Sequence, residues 1–344
     1  MKGKYYNIFK FFQNIYDKEI SDIGKILGAS SYGEVRDIKH KKYSMAGKII
    51  ENENEQESQK IKLAFELRGP NIIRIDKIYT EKYEDKYYNL VIMEKAILRD
   101  LGKLNEFFLN HNLLKLIYDD PFDEKCGDNL LRFYARQIIN ALEVLDRNDY
   151  IHLNIKPENL LVTLNLNIKL SDISFLRRVD DTSKLPKNIK GFTTPEYYSD
   201  KDTSSDIIKR QEYFALGECL FILKYGDKIL RDLKKIYRNE EDILDLLIKK
   251  ITFIKSNKII DKDFINFLVS LIQFKPEKRP SFEFIYRNKW LNKNRDILHK
   301  IVMAFEGDEE KFFMELQKND FIMKKEKQFK KNNNNLVKFR FKKR

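Results

Sequence analysis

YIHLNIKPENLLVTLNLNIKLSDISF, residues 150 to 175, is the stretch from which the rest of this chain can be read. Its apolar pieces, Leu160-Leu161-Val162 and Ile168-Lys169-Leu170, have the length of short buried strands. Around them stand His152, Asn154, Lys156 and Asn159, and thirteen residues after Asn159 comes Asp172. Spacing has to carry the argument. Abundant Lys, Asn, Ile, Tyr and Phe with few Gly and Pro fit an AT-rich genome, which weakens inference from residue type alone.

Toward the N-terminus, residues 23 to 50 alternate apolar and polar positions around glycines, the pattern of strands joined by tight turns. Within them LGASSYGEV places Gly28 and Gly33 on either side of Ala29 to Tyr32, just before Val35. Glycines so placed let a backbone approach a phosphate, and in isolation they equally suit a hairpin turn. Thirteen residues after Val35 comes Lys48 in MAGKII, by itself an ordinary solvated lysine. Residues 51 to 68 change to helical spacing, with Ile61, Ala64, Phe65 and Leu67 on one apolar face behind an acidic first turn. Strands follow near 72 to 80 and 88 to 94. From about 100 onward the pattern is mostly helical, notably over 129 to 148 and 207 to 224, with a polar connection at 110 to 128. The chain divides near residue 96.

Together these stretches resemble the eukaryotic protein kinase family. The matching motifs, in order, are LGASSYGEV, the strand lysine Lys48, the loop from His152 to Asn159, Asp172-Ile173-Ser174, and Thr194-Pro195-Glu196. The resemblance covers about residues 20 to 292. It implies an α+β, bilobal protein kinase fold, with a small β-rich lobe over 20–96, a larger helical lobe over 97–292 and a nucleotide cleft between them. Residues 1–19 are then an N-terminal extension, 293–323 a helical C-terminal extension and 324–344 a basic, Asn-rich disordered tail. By the same resemblance the cofactors are ATP and Mg. Gly28, Gly33 and Val35 would cover the phosphates, and Ala46 and Leu161 would sandwich the adenine. VIMEKA would be the hinge, with Met93 as gatekeeper and Glu94 starting the adenine-binding backbone. Lys48 looks like the lysine that holds the α- and β-phosphates, and Asn159 and Asp172 look like the metal ligands. Lys156 points to the Ser/Thr subclass. EYFALGECL puts Glu212 in an acidic structural position and retains Gly217. KPEKRPSFEFIYRNKWL is similar to the end of the domain in calcium/calmodulin-dependent and AMP-activated kinases, where Arg279 would pair with Glu196.

The departures fall on the chemistry. Asn154 stands where the family has a catalytic carboxylate, and an amide cannot act as a base. Leu153 replaces an arginine that would read a phosphate on the activation segment, so Thr182 and Ser183 would lack that receptor. Ungapped counting back from Gly69-Pro70-Asn71 puts Lys60 where a glutamate should face Lys48, with Glu57 one turn earlier as the substitute. Ser174 replaces the glycine after Asp172, and Ser30 the middle glycine of the phosphate loop.

Composition sets the outer limits. A chain of 344 residues with 42% hydrophobic and 13% aromatic content can bury a large core, which excludes disorder throughout. No run approaches the roughly 20 apolar residues of a membrane helix, and MKGKYY lacks the apolar stretch of a secretory signal. An intracellular protein, cytoplasmic or nuclear, is expected. Cys126 and Cys219 make no disulfide framework, and the four histidines show no paired metal spacing, so no structural metal is expected. Ten Lys and Arg against Glu326 give residues 324–344 a charge of +9, which leaves +4 of the total +13 for the other 323 residues. The basicity belongs to the tail, and no DNA contact is expected of the folded body. LVKFRFKKR alternates cations with Val and Phe, which suits an anionic membrane surface or RNA, or simply a solvated end. EEKFFMELQ, near 309 to 317, reads as a helix packed on the large lobe. Three functional readings follow: an ATP-binding pseudokinase that regulates or scaffolds a protein partner, a divergent active Ser/Thr kinase with a protein substrate, and a tether whose tail does the work.

Overall fold

The computed structural model describes residues 3–30, 33–96, 98–104, 124–163, 166–181, 205–225, 261–273 and 275–293. Helix α1 (Tyr6–Ile15) precedes strands β1 (Ile20–Ser30), β2 (Gly33–His40) and β3 (Tyr43–Asn52), helix α2 (Glu55–Leu63), and strands β4 (Ile75–Tyr83) and β5 (Lys86–Met93). The five strands form one antiparallel sheet in the order β1-β2-β3-β5-β4. The β2–β3 and β4–β5 hairpins each turn on two residues, the first of them left-handed: Lys41 at φ 54° and Glu84 at φ 54°.

Both faces of this sheet are covered. On β5, Leu90 and Ile92 join Ile38, Met45 and Ile49 on one face, while Val91 and Met93 join Ala46 and Ile50 on the other, as a period of two requires. The first face receives Tyr5 and, from α1, Ile8, Phe9 and Phe12. Burial of each such side chain stabilises by about 1.5 to 3 kcal/mol. The aromatic N-terminal segment is therefore a helical cover for the sheet, and β3 is buried without a break from Met45 to Ile50 because of it.

The inserted helix is shorter than its sequence pattern. Residues 51 and 52 finish β3, and Asn54 caps α2 by accepting from the Glu57 N–H at 3.0 Å. Ile61 and Leu67 are buried as expected, but Phe65 is exposed and lies under the Arg68 guanidinium at 4.8 Å. The next strand begins at Ile75 instead of 72, because Ile72 and Ile73 are drawn away to bridge residue 170.

The larger lobe holds α3 (Glu124–Arg147), β6 (Tyr150–Ile151), β7 (Leu160–Val162), β8 (Ile168–Leu170), β9 (Arg177–Arg178), α4 (Ser205–Tyr225), α5 (Lys262–Leu271), α6 (Phe282–Arg287) and α7 (Lys289–Asn292). Strands β7 and β8 form one small ladder, and β6 and β9 another. Helix α4 runs through the core with Phe214, Leu216, Leu220 and Phe221 buried. A Cβ on Gly217 would lie 2.5 Å from Ile272 Cγ2, so glycine is what lets α4 approach the end of α5. Trp290 is buried against Phe264 and Phe267, with ring centroids at 4.9 and 5.4 Å.

One apolar cluster runs from Ala46 and Val91 through Ile72 and Leu170 to α3 and α4, so the lobes share a core. Backbone bonds stitch them together: Ile73 N–H to the Leu170 carbonyl at 2.9 Å and Leu170 N–H to the Asn71 carbonyl at 2.8 Å. A β-sheet lobe followed by a helical lobe is the expected α+β, bilobal arrangement. No helix among the described residues is long and apolar enough to cross a membrane. Thr182, Ser183, Thr194 to Glu196, the segment at 309 to 317 and the basic tail lie outside the described residues.

Candidate functional site

Lys48 sits in the middle of the sheet, opposite Val35 on β2 and Val91 on β5, and is 6% exposed. Its ammonium group emerges on the lower side of the sheet and contacts the Asp172 carboxylate directly. It also donates to Ser174 Oγ at 3.0 Å, while that hydroxyl donates to Asp172 Oδ1 at 2.7 Å. Burial acts to raise the pKa of the Asp172 carboxyl, but the Lys48 charge and the bonds from Lys48 and Ser174 outweigh it. Asp172 is thus held ionised, well below the ordinary carboxylate range.

Glu57, the substitute partner named for Lys48, is not there. It is exposed, and its carboxylate accepts from the Glu53 N–H at 3.1 Å, so it serves the N-terminus of α2. The helix docks through Ser58 instead. That fully buried hydroxyl donates to Asn89 Oδ1 on β5 at 3.0 Å, and Asn52 donates to the same oxygen at 2.6 Å. The side chain of Lys60 lies outside the described residues.

Above Lys48, Gly28 pairs with Val35 across the first hairpin. A Cβ on Gly33 would lie 2.0 Å from the Ile49 carbonyl oxygen, which makes glycine necessary there, while one on Gly28 would meet nothing within 4 Å. Ala46 faces Met93 across the β3–β5 ladder, and both are 6% exposed. Val35 and Leu161 are half-buried at the edge of the same cluster, one on each lobe. At the hinge, the Glu94 N–H donates to the Arg74 carbonyl at 2.9 Å, and its carboxylate accepts from Arg74 N–H at 2.8 Å and pairs with Lys169 at 3.1 Å. Lys95 reaches back to Asp37 on β2 at 3.0 Å. The hinge is therefore tied to both lobes.

The loop between β6 and β7 is hung from buried anchors. His152 Nε2 lies 2.7 Å from the Ser171 carbonyl, and burial pushes the His152 pKa down to about 4. A neutral imidazole facing a carbonyl must carry its proton on Nε2. Leu153 is left-handed at φ 61°, and its N–H donates to Glu212 Oε1 on α4 at 2.8 Å. Burial pushes the Glu212 carboxyl up to about 7. Asn154 follows, with Nδ2 donating to Asp172 Oδ2 at 3.2 Å. Asn159 Nδ2 donates to the Asn154 carbonyl at 2.7 Å. Lys156 is half-buried and close enough for its charge to depress His152 along with that of Lys48.

Lys48, Asp172, Asn154 and Asn159 are thus joined in one bonded group, with Lys156 within electrostatic reach of it, while Val35, Ala46, Met93 and Leu161 belong to or pack against the apolar cluster shared by the lobes and Gly28 and Gly33 lie on the neighbouring strands. Sequence reasoning did not foresee the bonds of Ser174, whose replacement of glycine signalled only lost backbone freedom. It also did not foresee the docking of Ser58 on Asn89, for which the sequence holds no signal. Arg279 is buried and donates to the carbonyls of Gln273 at 2.9 Å and Arg210 at 3.1 Å, with its guanidinium 5.0 Å from the Phe214 ring. Its expected partner Glu196 lies outside the described residues.

Residues 21–291 match the protein kinase domain, and the chain belongs to that family. It is 25% identical over 288 residues to an Aurora kinase of Saccharomyces cerevisiae, covering 80% of this chain and 70% of that protein. It is 24% identical over 304 residues to the calcium/calmodulin-dependent protein kinase cmkA of Emericella nidulans, covering 83% and 66%. Serine/threonine-protein kinase STK11 of Rattus norvegicus is 24% identical over 300 residues, covering 81% and 62%. The chain therefore spans about two thirds of the length of these relatives.

Proposed function

We propose that the chain is a pseudokinase: it binds ATP in the cleft and acts on another protein by docking or allosteric regulation, without efficient phosphate transfer. The observation that carries this reading is the Asn154 amide. It stands at the position from which a carboxylate would accept the substrate proton, and it donates its own N–H to Asp172 at 3.2 Å. An amide nitrogen bonded in this way has no basic lone pair to offer. Loss of a general base lowers a rate by a factor of about 10² to 10⁴. The ATP part of the reading rests on the half-buried Val35 and Leu161, which offer apolar edges above and below a planar ring, beside Ala46, Met93 and the backbone that starts at Glu94. Lys48 would hold the phosphates under the backbone of Gly28 and Gly33.

The test is transfer of the ATP γ-phosphate to a generic basic protein and to the chain itself, with Asp172→Ala as the blank, alongside melting with ATP. Wild type should incorporate no more phosphate than the blank, yet melt higher with ATP, since a ligand at 100 times its Kd stabilises by about 2.7 kcal/mol. Transfer well above the blank would replace this reading with that of a divergent active Ser/Thr kinase, which the juxtaposed Lys48 and Asp172 favour.

A further inference from the structure

The family implies a divalent cation between Asp172, Asn159 and the nucleotide phosphates, and the donor set here disagrees with one. Both oxygens of Asp172 already accept bonds from the chain itself, Oδ1 from Lys48 and from Ser174 at 2.7 Å and Oδ2 from Asn154 at 3.2 Å, so most of its acceptor capacity and its charge are engaged before any ligand arrives. A hard divalent cation takes oxygen ligands, preferably charged ones. Where the family has a second carboxylate, this chain turns an N–H toward Asp172. Asn159, its nitrogen bonded to the Asn154 carbonyl at 2.7 Å, has only an uncharged amide oxygen to offer. The charges of Lys48 and Asp172 cancel, and Lys156 adds a further positive charge. An incoming cation is offered no net negative charge by these side chains, whereas an anionic phosphate chain is met by a positive one.

We propose that the cleft binds a nucleoside di- or triphosphate without a divalent cation, Asn154 and Ser174 pinning Asp172 against Lys48 while Lys48 and Lys156 neutralise the phosphates. Lys48 has three donors and gives one to Asp172 and one to Ser174, which leaves one for a phosphate oxygen. Ser174 and Asn154 are positioning residues in this scheme, and their hydrogen bonds do for the Asp172 charge what a cation does elsewhere. The inference rests on the nucleotide-binding reading above.

Isothermal titration of the full chain with ATP and with ADP, once in EDTA and once in millimolar Mg²⁺, tests it. The two Kd values should agree within about threefold, a difference of under about 0.7 kcal/mol. Lys48→Ala should weaken binding in both conditions. Asn154→Asp puts two carboxylates side by side, and its affinity in EDTA should fall about tenfold or more and recover with Mg²⁺. Ser174→Gly, which removes one donor and restores the residue of the family, should move the same way to a smaller extent. Wild-type binding that needs Mg²⁺ overturns the cation-free site and leaves the nucleotide reading intact. Absence of binding in every condition overturns both.

Discussion

His152 and Glu212 hold the loop that carries Asn154, and burial drives both toward neutrality from opposite sides, His152 down to about 4 and Glu212 up to about 7. An unfolded chain protonates histidine near 6.5 while the folded one resists until about 4, so through that window His152 costs stability as pH falls. Glu212 works the other way. The folded chain keeps its proton up to about 7 and the unfolded one releases it near 4.5, so stability declines as pH rises through that range. Each slope is about 1.4 kcal/mol per pH unit, and where the windows overlap they oppose each other. Glu212→Gln keeps an acceptor for the Leu153 N–H and removes one slope. In urea unfolding from pH 5 to 8 the variant should be more stable than wild type above pH 7, and should lose about 2 to 3 kcal/mol more than wild type on acidification. Parallel profiles for the two proteins would show that burial does not neutralise Glu212.

Helix α1 is an element whose role depends on what lies beneath it. Phe12 is fully buried on the sheet face formed by Ile38, Met45, Ile49, Leu90 and Ile92, whereas Phe65 after α2 is exposed. Phe12→Ala should cost about 3 to 5 kcal/mol, and Phe65→Ala should stay within about 0.5 kcal/mol of wild type. Paired urea melts measure both, and equal costs would mean that α1 does not cover the sheet. Arg36 adds a polar clamp to the apolar one. It pairs with Glu34 at 2.6 Å, donates to the Gly24 carbonyl at 3.0 Å and lies 5.0 Å from the Tyr6 ring. The aromatic residues of α1 and the helical spacing of Ile8, Phe9 and Phe12 are visible in the sequence, but the surface they cover is not. The unbroken apolar run of β3 is explained only once a second face is known to be covered.

At the scale of the molecule, Arg279 joins α4 to the turn before α6 from deep inside the larger lobe. Its bonds to the half-buried Gln273 and Arg210 carbonyls are charge-assisted, worth about 1.5 to 3 kcal/mol each, and truncation removes both together with the packing of the guanidinium on Phe214. Arg279→Ala should therefore lower stability by about 3 kcal/mol or more, with Arg279→Lys recovering part. A urea midpoint unchanged by Arg279→Ala would show that these bonds do not hold the lobe together. Nucleotide affinity measured on the folded fraction should change little, since the Gln273, Arg210 and Phe214 contacts of Arg279 involve none of the residues assigned to the nucleotide.

Membership of the kinase family, the order of the lobes and the identity of the departing residues were legible in the sequence, because motif spacing and residue type are properties of the chain itself. Asn154 is an amide in any fold, and so the lost base could be read directly. Which groups face each other was decided by tertiary structure. Glu57, close to Lys48 in sequence, turned out to serve a helix end, while Asp172 and Ser174, 124 and 126 positions away, became the partners of Lys48. The physical reason is that a hydrogen bond or ion pair depends on separations of a few ångströms, and between remote segments those are set by how two lobes pack on a shared core.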